Sequence, residues 1–260
     1  MPSEKDSLIK KEPNSERFFR ILQPCLAEFV GTALFVFVAT MCMQDPRTLT
    51  VAASHGFAIT SLVMCFSHIS GGHFNPAVSF GVLLGGGLHP PIFPFYVASQ
   101  LIGGMLGAAC TRGILGSIMI KGVGGKMISQ YESIDGGSVV FDESVGVGRA
   151  ILTDMLGCMF LVLAFLMTSV DSVGKSSRLA PFAVGFAYIV GILQSMQITG
   201  PSLNPARSFG SALCVWVYKP SIWKNHYIFW VGPFAGAIIA AFFFRFVFAS
   251  IDHRIPRRKK

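Results

Sequence analysis

The chain has 260 residues, 52% of them hydrophobic and only 13% charged, with a formal net charge of +8 and a mean hydropathy of +0.59. Soluble domains carry about 25% charged residues, so a membrane protein is expected and a soluble globular domain is not. The basic residues gather at the two ends, with Lys5, Lys10, Lys11, Arg17 and Arg20 before the first apolar run and Arg254, Arg257, Arg258, Lys259 and Lys260 after the last. Such flanks read as cytoplasmic topology signals. The interspersed Glu4, Asp6, Glu12 and Glu16 argue against a nucleic-acid partner.

In chain order, a polar tail over residues 1–21 carries no cleavable signal peptide, so the first span itself is expected to enter the membrane. A spanning helix needs roughly 20 apolar residues. Six stretches qualify: Leu22–Met43, Thr50–Ile69, Ile92–Ile120, Ile151–Val170, Leu179–Ile198 and Tyr227–Ser250. An even number of spans returns the chain to its starting side, which puts both tails in the cytoplasm together with the Asp171–Arg178 loop. The Gly-rich segment 121–148 holds Glu132, Asp135, Asp142 and Glu143 and reads as a flexible outer loop. Its "KGVGGKM" lacks Walker spacing and has Met127 where Ser or Thr would bind magnesium. The cysteines, Cys25, Cys42, Cys65, Cys110, Cys158 and Cys214, show no pairing pattern and are expected as buried free thiols. Residues 251–260 form a second basic tail.

Two apolar segments are too short to span, Pro76–Leu84 and Pro205–Val215. Both open with the same phrase, in "HFNPAVSF" and "LNPARSFG". Asparagine is a favoured N-cap and proline a favoured first helical residue, so each phrase marks the start of a half-helix. The halves match elsewhere too. "AEFVGTALFVFV" from Ala27 parallels "TDMLGCMFLVLA" from Thr153, with an acid second (Glu28, Asp154) and a glycine fifth (Gly31, Gly157). Three spans and a half-helix, repeated, form an inverted repeat: 22–120 and 149–250 within a channel domain 22–250. The predicted fold is an all-α membrane protein with six transmembrane helices and two re-entrant half-helices.

Half-helices entering from opposite sides meet by their N-termini, each carrying partial positive charge. Asn75 and Asn204 can cap with their oxygens and offer their NH2 groups to a passing oxygen, while Pro76 and Pro205 give a rigid start and Ala77 and Ala206 let the ends touch. A water held there cannot also accept from its neighbour, and the positive field repels cations.

These motifs resemble the aquaporins of the major intrinsic protein family over nearly the whole chain. "ILQPCLAEFVGTALFVF", "ISGGHFNPAVS" and "LAPFAVGFA" look most like the aquaporin-8 branch. The resemblance implies a homotetramer with one pore per subunit, no cofactor, no metal and no enzymatic activity. It also implies a filter outward of the asparagines, made of Arg207, His55, Ile192 and Pro201. Arg207 reads as a structural ion pair or as a pore residue; no acid lies near it in sequence, and the resemblance together with the rarity of intramembrane charges favours the pore. His55 reads equally as a core group or a pore group. Pro201 departs from the glycine or cysteine usual at its position, so mercury block there is not expected. Ser208 stands where glycerol channels place an aspartate. Glu28, Asp154 and Gln100 are expected to brace the half-helix loops by hydrogen bonds, Asp154 with the shorter reach, and His73 to line the inner vestibule or cap its loop. The glycines of "QLIGGMLGAA" suggest close helix packing.

The implied function is passive passage of water and of small neutral solutes such as hydrogen peroxide, ammonia and, less securely, urea. A coupled secondary transporter on the same inverted plan would need a titrating residue on the path, for which His55 is the candidate. An adhesion protein with a closed pore would show junction-like assemblies and no permeability. The plasma membrane is the default location; the branch also includes the mitochondrial inner membrane, although the acids of the N-terminal tail do not suit a presequence.

Overall fold

The computed structural model describes residues 18–141, 143–174 and 177–255. Most of both basic tails, Asp142 and Lys175 lie outside the described residues. The main helices are α1 (Gln23–Met41), α2 (Thr48–Ser70), α3 (Pro76–Gly85), α4 (Phe93–Leu115), α5 (Val147–Phe165), α6 (Ala180–Ser195), α7 (Pro205–Val215) and α8 (Ile228–Phe243). Element order thus repeats: two long helices, one short helix opening on proline, one long helix. Among the described residues, five helical stretches are long and apolar enough to cross a bilayer: Phe19–Gln44, Thr48–Ser70, Pro90–Leu115, Val147–Val170 and Pro220–Phe248. The chain is therefore an integral, multi-pass membrane protein of helical architecture.

Four expectations need correction. The stretch Leu179–Ile198 is not one long helix. α6 has 16 residues, about 24 Å at 1.5 Å per residue. It stops because the Ser195 carbonyl accepts the amides of Ile198, Thr199 and Gly200, and Gly200 takes a left-handed φ of +78°. That turn sends the chain inward towards Asn204. The third span also ends early. α4 closes at Leu115 with Gly116 as its cap, and Met119–Lys121 becomes strand β1, paired antiparallel with β2 (Met127–Ser129). So "KGVGGKM" is a hairpin turn. The rest of the outer segment is folded too. Ser129 and Glu132 form a reciprocal capping box, Lys219 pairs with Asp135 at 2.7 Å, and Lys224 pairs with Glu143 at 2.6 Å. Finally, the cysteines are free, but Cys65 and Cys110 face outward from the bundle rather than into it.

Small residues allow the bundle to close. Gly103 and Gly107 of α4 lie against the backbone of α1 at Phe29 and Ala33, and Gly104 lies against the carbonyl of Ala206. Gly236 of α8 meets α5 at Met155 in the same way. The fifth-position glycines have a more specific use. Gly31 of α1 faces the ring of Phe74, and Gly157 of α5 faces Leu203. Phe74 and Leu203 are the residues just before Asn75 and Asn204, so each glycine makes room for one motif-bearing loop. We expect Gly31→Val and Gly157→Val each to overpack their loop and destabilise the protein by about 1–3 kcal/mol. Thermal unfolding of the detergent-solubilised variants checks this; an unchanged midpoint in both would show that the loops are not held by these contacts.

Candidate functional site

The centre of the molecule is where α3 and α7 meet. Asn75 caps α3, its Oδ1 accepting from the Ala77 amide at 2.9 Å. Asn204 caps α7, accepting from Ala206 at 2.9 Å and Arg207 at 3.3 Å. Each amide then crosses to the other half. Asn75 Nδ2 donates to the Leu203 carbonyl at 2.9 Å, and Asn204 Nδ2 donates to the Phe74 carbonyl at 2.9 Å. The NH2 groups are thus not turned wholly outward, as the sequence suggested. One N–H of each is used in the crossing and one remains. The accepting residues are Phe74 at φ 49° and Leu203 at φ 55°. Bulky residues rarely adopt this left-handed region, and holding them there costs about 1–3 kcal/mol each. The crossed hydrogen bonds, together with the space left by Gly31 and Gly157, hold them in place. Pro76, Ala77, Pro205 and Ala206 are all buried at the junction.

The two loops are held unequally from behind. Glu28 is fully buried and accepts four hydrogen bonds: Ser70 Oγ at 2.6 Å, the His73 amide at 2.9 Å, the Phe74 amide at 2.6 Å and Gln100 Nε2 at 2.8 Å. Gln100 also donates to Ser79 Oγ, which lies 3.1 Å from His73 Nδ1. In the second half, among the described residues, Asp154 accepts only from Thr199 Oγ1 at 2.5 Å, and its Oδ2 has no partner. One methylene shorter than Glu28, it meets the loop through a hydroxyl instead of the backbone.

Outward of the asparagines, Arg207 is wholly buried with no carboxylate partner among the described residues. One terminal nitrogen donates a long 3.5 Å bond to the Ala39 carbonyl, while Nε and the other terminal nitrogen have no partner. Cys42 Sγ donates to the same Ala39 carbonyl at 3.3 Å and lies 3.8 Å from His55 Nδ1. His55 Nδ1 is 2.8 Å from the Val51 carbonyl, which can only accept, so Nδ1 carries the proton and Nε2 is a free acceptor. His55 and Arg207 thus belong to one cluster. Ile192 is fully buried on α6, and Pro201 stands apart, lining an outer cavity of about 510 Å³ with Met43, Val139 and Met196. On the inner side His73 lines a cavity of about 650 Å³ with Ser70, Tyr96 and Phe165.

Two aromatic residues in this region were not singled out by the sequence. Phe35 and Tyr188 both pack against His55. The signal was available: Tyr188 precedes Ile192 by one helical turn, and Phe35 follows Glu28 by two, so each shares a helix face with a residue already identified. Ser70 and Thr199 were also passed over, because hydroxyls in loops carry no pattern of their own.

Two joined half-helices inside a bundle of membrane-crossing helices define a membrane channel fold. The chain matches the family model "Major intrinsic protein" over residues 15–244. It is 36% identical over 234 residues to Aquaporin-8 of Rattus norvegicus, covering 85% of this chain and 81% of that protein. It is 34% identical over 253 residues to Probable aquaporin PIP2-5 of Arabidopsis thaliana, covering 88% and 82%. Its fold is similar to the X-ray structure of the aquaglyceroporin from Plasmodium falciparum, with a TM-score of 0.70 over 86% of this chain and 95% of that one at 19% identity. The chain belongs to the major intrinsic protein family, and is a channel of the aquaporin type rather than an enzyme.

The unequal bracing sets a test. Glu28→Gln places an NH2 against donors that now meet a carboxylate, and should cost about 2–3 kcal/mol. Asp154→Asn disturbs one hydroxyl contact and should cost less than about 1.5 kcal/mol. Thermal midpoints measured side by side check the order; equal or reversed losses would contradict it.

Proposed function

We propose that this chain is a passive channel for water and for small neutral solutes such as hydrogen peroxide and ammonia. The observation that carries it is the head-on junction of two asparagine-capped helix starts beside a buried, carboxylate-free arginine. Each helix N-terminus contributes about half a positive charge. Asn75 and Asn204 each retain one N–H for a passing oxygen, and Arg207 keeps Nε and one terminal nitrogen without an acceptor. A site rich in donors and positive field suits a neutral molecule that brings its own oxygen. It opposes hydronium and metal cations. In this pore His55, Ile192, Pro201 and Arg207 form the filter, Glu28, Gln100 and Asp154 brace the loops, and His73 lines the inner vestibule. Ser208 in place of an acid disfavours glycerol.

The same proposal covers the topology. α6, with the turn that follows it, completes a sixth crossing, and α3 and α7 are re-entrant half-helices entering from opposite faces. Both tails are cytoplasmic, the plasma membrane is the host membrane, and the channel is a homotetramer. The near-symmetric placement of Glu28 with Asp154 and Gly31 with Gly157 supports the inverted repeat.

Liposomes containing the purified protein should shrink rapidly under a sucrose gradient, with a low activation energy; shrinkage no faster than in empty liposomes would refute a constitutively open water channel. His55→Ala combined with Ile192→Gly widens the filter and also removes the ring that packs on Tyr188, so it should admit glycerol; unchanged glycerol exclusion in the folded double variant would remove these residues from the filter. Arg207→Val should leak cations by a dye assay; a tight variant with normal water flux would make Arg207 structural.

A further inference from the structure

The region between filter and asparagines holds more aromatic surface than the filter residues account for. Three rings from three helices meet there: Phe35 of α1, His55 of α2 and Tyr188 of α6. Phe35 and Tyr188 lie edge to face at 5.3 Å between centroids, Phe35 and His55 edge to face at 5.7 Å, and His55 and Tyr188 stack at 6.2 Å. A water-sized sphere reaches none of them, since exposures are 0% for Phe35, 0% for His55 and 1% for Tyr188. The outer cavity is lined by Pro201 and Met196 and the inner one by His73 and Phe165; none of the three rings lines either. Through the Tyr188 hydroxyl the cluster touches the loop before Asn204, and through His55 it touches Cys42, whose thiol shares the Ala39 carbonyl with Arg207, which sets it beside any path that joins the two cavities at the asparagines.

Tyr188 is the member with a path-side attachment. Val184, Tyr188 and Ile192 form one buried stripe along α6, so the ring projects from the same face as the filter residue one turn away. Its hydroxyl donates a 3.3 Å hydrogen bond to the carbonyl of Ser202, in the loop leading to Asn204. That bond is long for an O–H donor. The ring is therefore placed mainly by its packing on Phe35 and His55, whereas His55 is held by a 2.8 Å bond to its own helix. A tyrosine is also wide. A β-branched or small residue at this position would leave the width of the path to His55 and Arg207 alone.

We propose that Tyr188, packed on Phe35 and His55, forms a second constriction between the filter and the asparagine pair, and that this ring, rather than the filter alone, sets the flux and the upper size limit of the solute. The proposal deepens the channel reading above and rests on it. The width left beside this ring then limits what passes, and solutes larger than hydrogen peroxide, urea among them, are refused at Tyr188 even where the filter would admit them.

The test is water and urea permeability of liposomes carrying equal amounts of wild type, Tyr188→Val, Tyr188→Leu and Tyr188→Phe. Tyr188→Val should raise water flux per protein by about threefold or more and let urea through. Tyr188→Leu, closer in volume to the original ring, covers the case in which the valine variant fails to fold, and should shift both readings in the same direction. Tyr188→Phe keeps the ring and should stay within about twofold of wild type. A silent wild type made conductive by Tyr188→Val would support the proposal equally. Unchanged water flux and urea exclusion in the folded valine and leucine variants, with a conducting wild type, would overturn the proposal and leave the channel reading intact. Loss of flux in Tyr188→Phe would also overturn it, because the hydroxyl would then be a brace for the Ser202 loop. No water flux through any of the proteins would overturn both.

Discussion

The fold turns on one reciprocal pair of hydrogen bonds. Asn75 donates to Leu203 and Asn204 donates to Phe74, so each half-helix is tied to the loop of the other. Neither helix start could sit in the middle of a membrane alone. Irregular backbone in hydrocarbon leaves polar groups unpaired at several kcal/mol each. Here the caps, the crossed amides and the Glu28 carboxylate take up those groups from three directions. The glycines at the fifth position of α1 and α5 matter for the same reason, since they let Phe74 and Leu203 adopt the left-handed backbone that points each carbonyl at the opposite asparagine.

The junction also explains where charge and donors are left over. Each asparagine divides its amide between a cap and a crossing, which leaves one N–H per half. Arg207 follows directly as the second residue after Pro205, so the geometry that caps α7 also carries the guanidinium to the α1 carbonyl at Ala39. A buried arginine without a carboxylate is costly. In the proposed pore that cost is offset by the passing solute's own oxygen. Electrostatics and shape then divide the selection. On the proposed reading the positive junction refuses cations, and the rings of His55, Phe35 and Tyr188 limit width.

Much of this was legible in the chain because it rests on local rules. Asparagine followed by proline marks a helix start wherever it falls, and α7 runs over Pro205–Val215 as its motif and length indicate. The paired acids and glycines of the two halves mark equivalent positions in the sequence itself. What escaped the sequence depends on tertiary packing. The early end of α6 comes from three amides converging on Ser195. The outer segment is ordered by ion pairs to Lys219 and Lys224, residues more than 80 positions away from Asp135 and Glu143 in chain order. Phe35 and Tyr188 share helix faces with Glu28 and Ile192, but their convergence on His55 is a matter of tertiary packing.

The central claim is that the junction passes a neutral molecule and stops charge. The most direct measurement records water flux and proton flux together, in liposomes loaded with a pH-sensitive dye, under an osmotic gradient and an imposed pH gradient. The account predicts rapid water movement that scales linearly with the osmotic gradient, with no proton movement above that of empty liposomes. Proton entry coupled to a saturable solute flux would contradict it, and would make His55 the titrating residue of a coupled transporter.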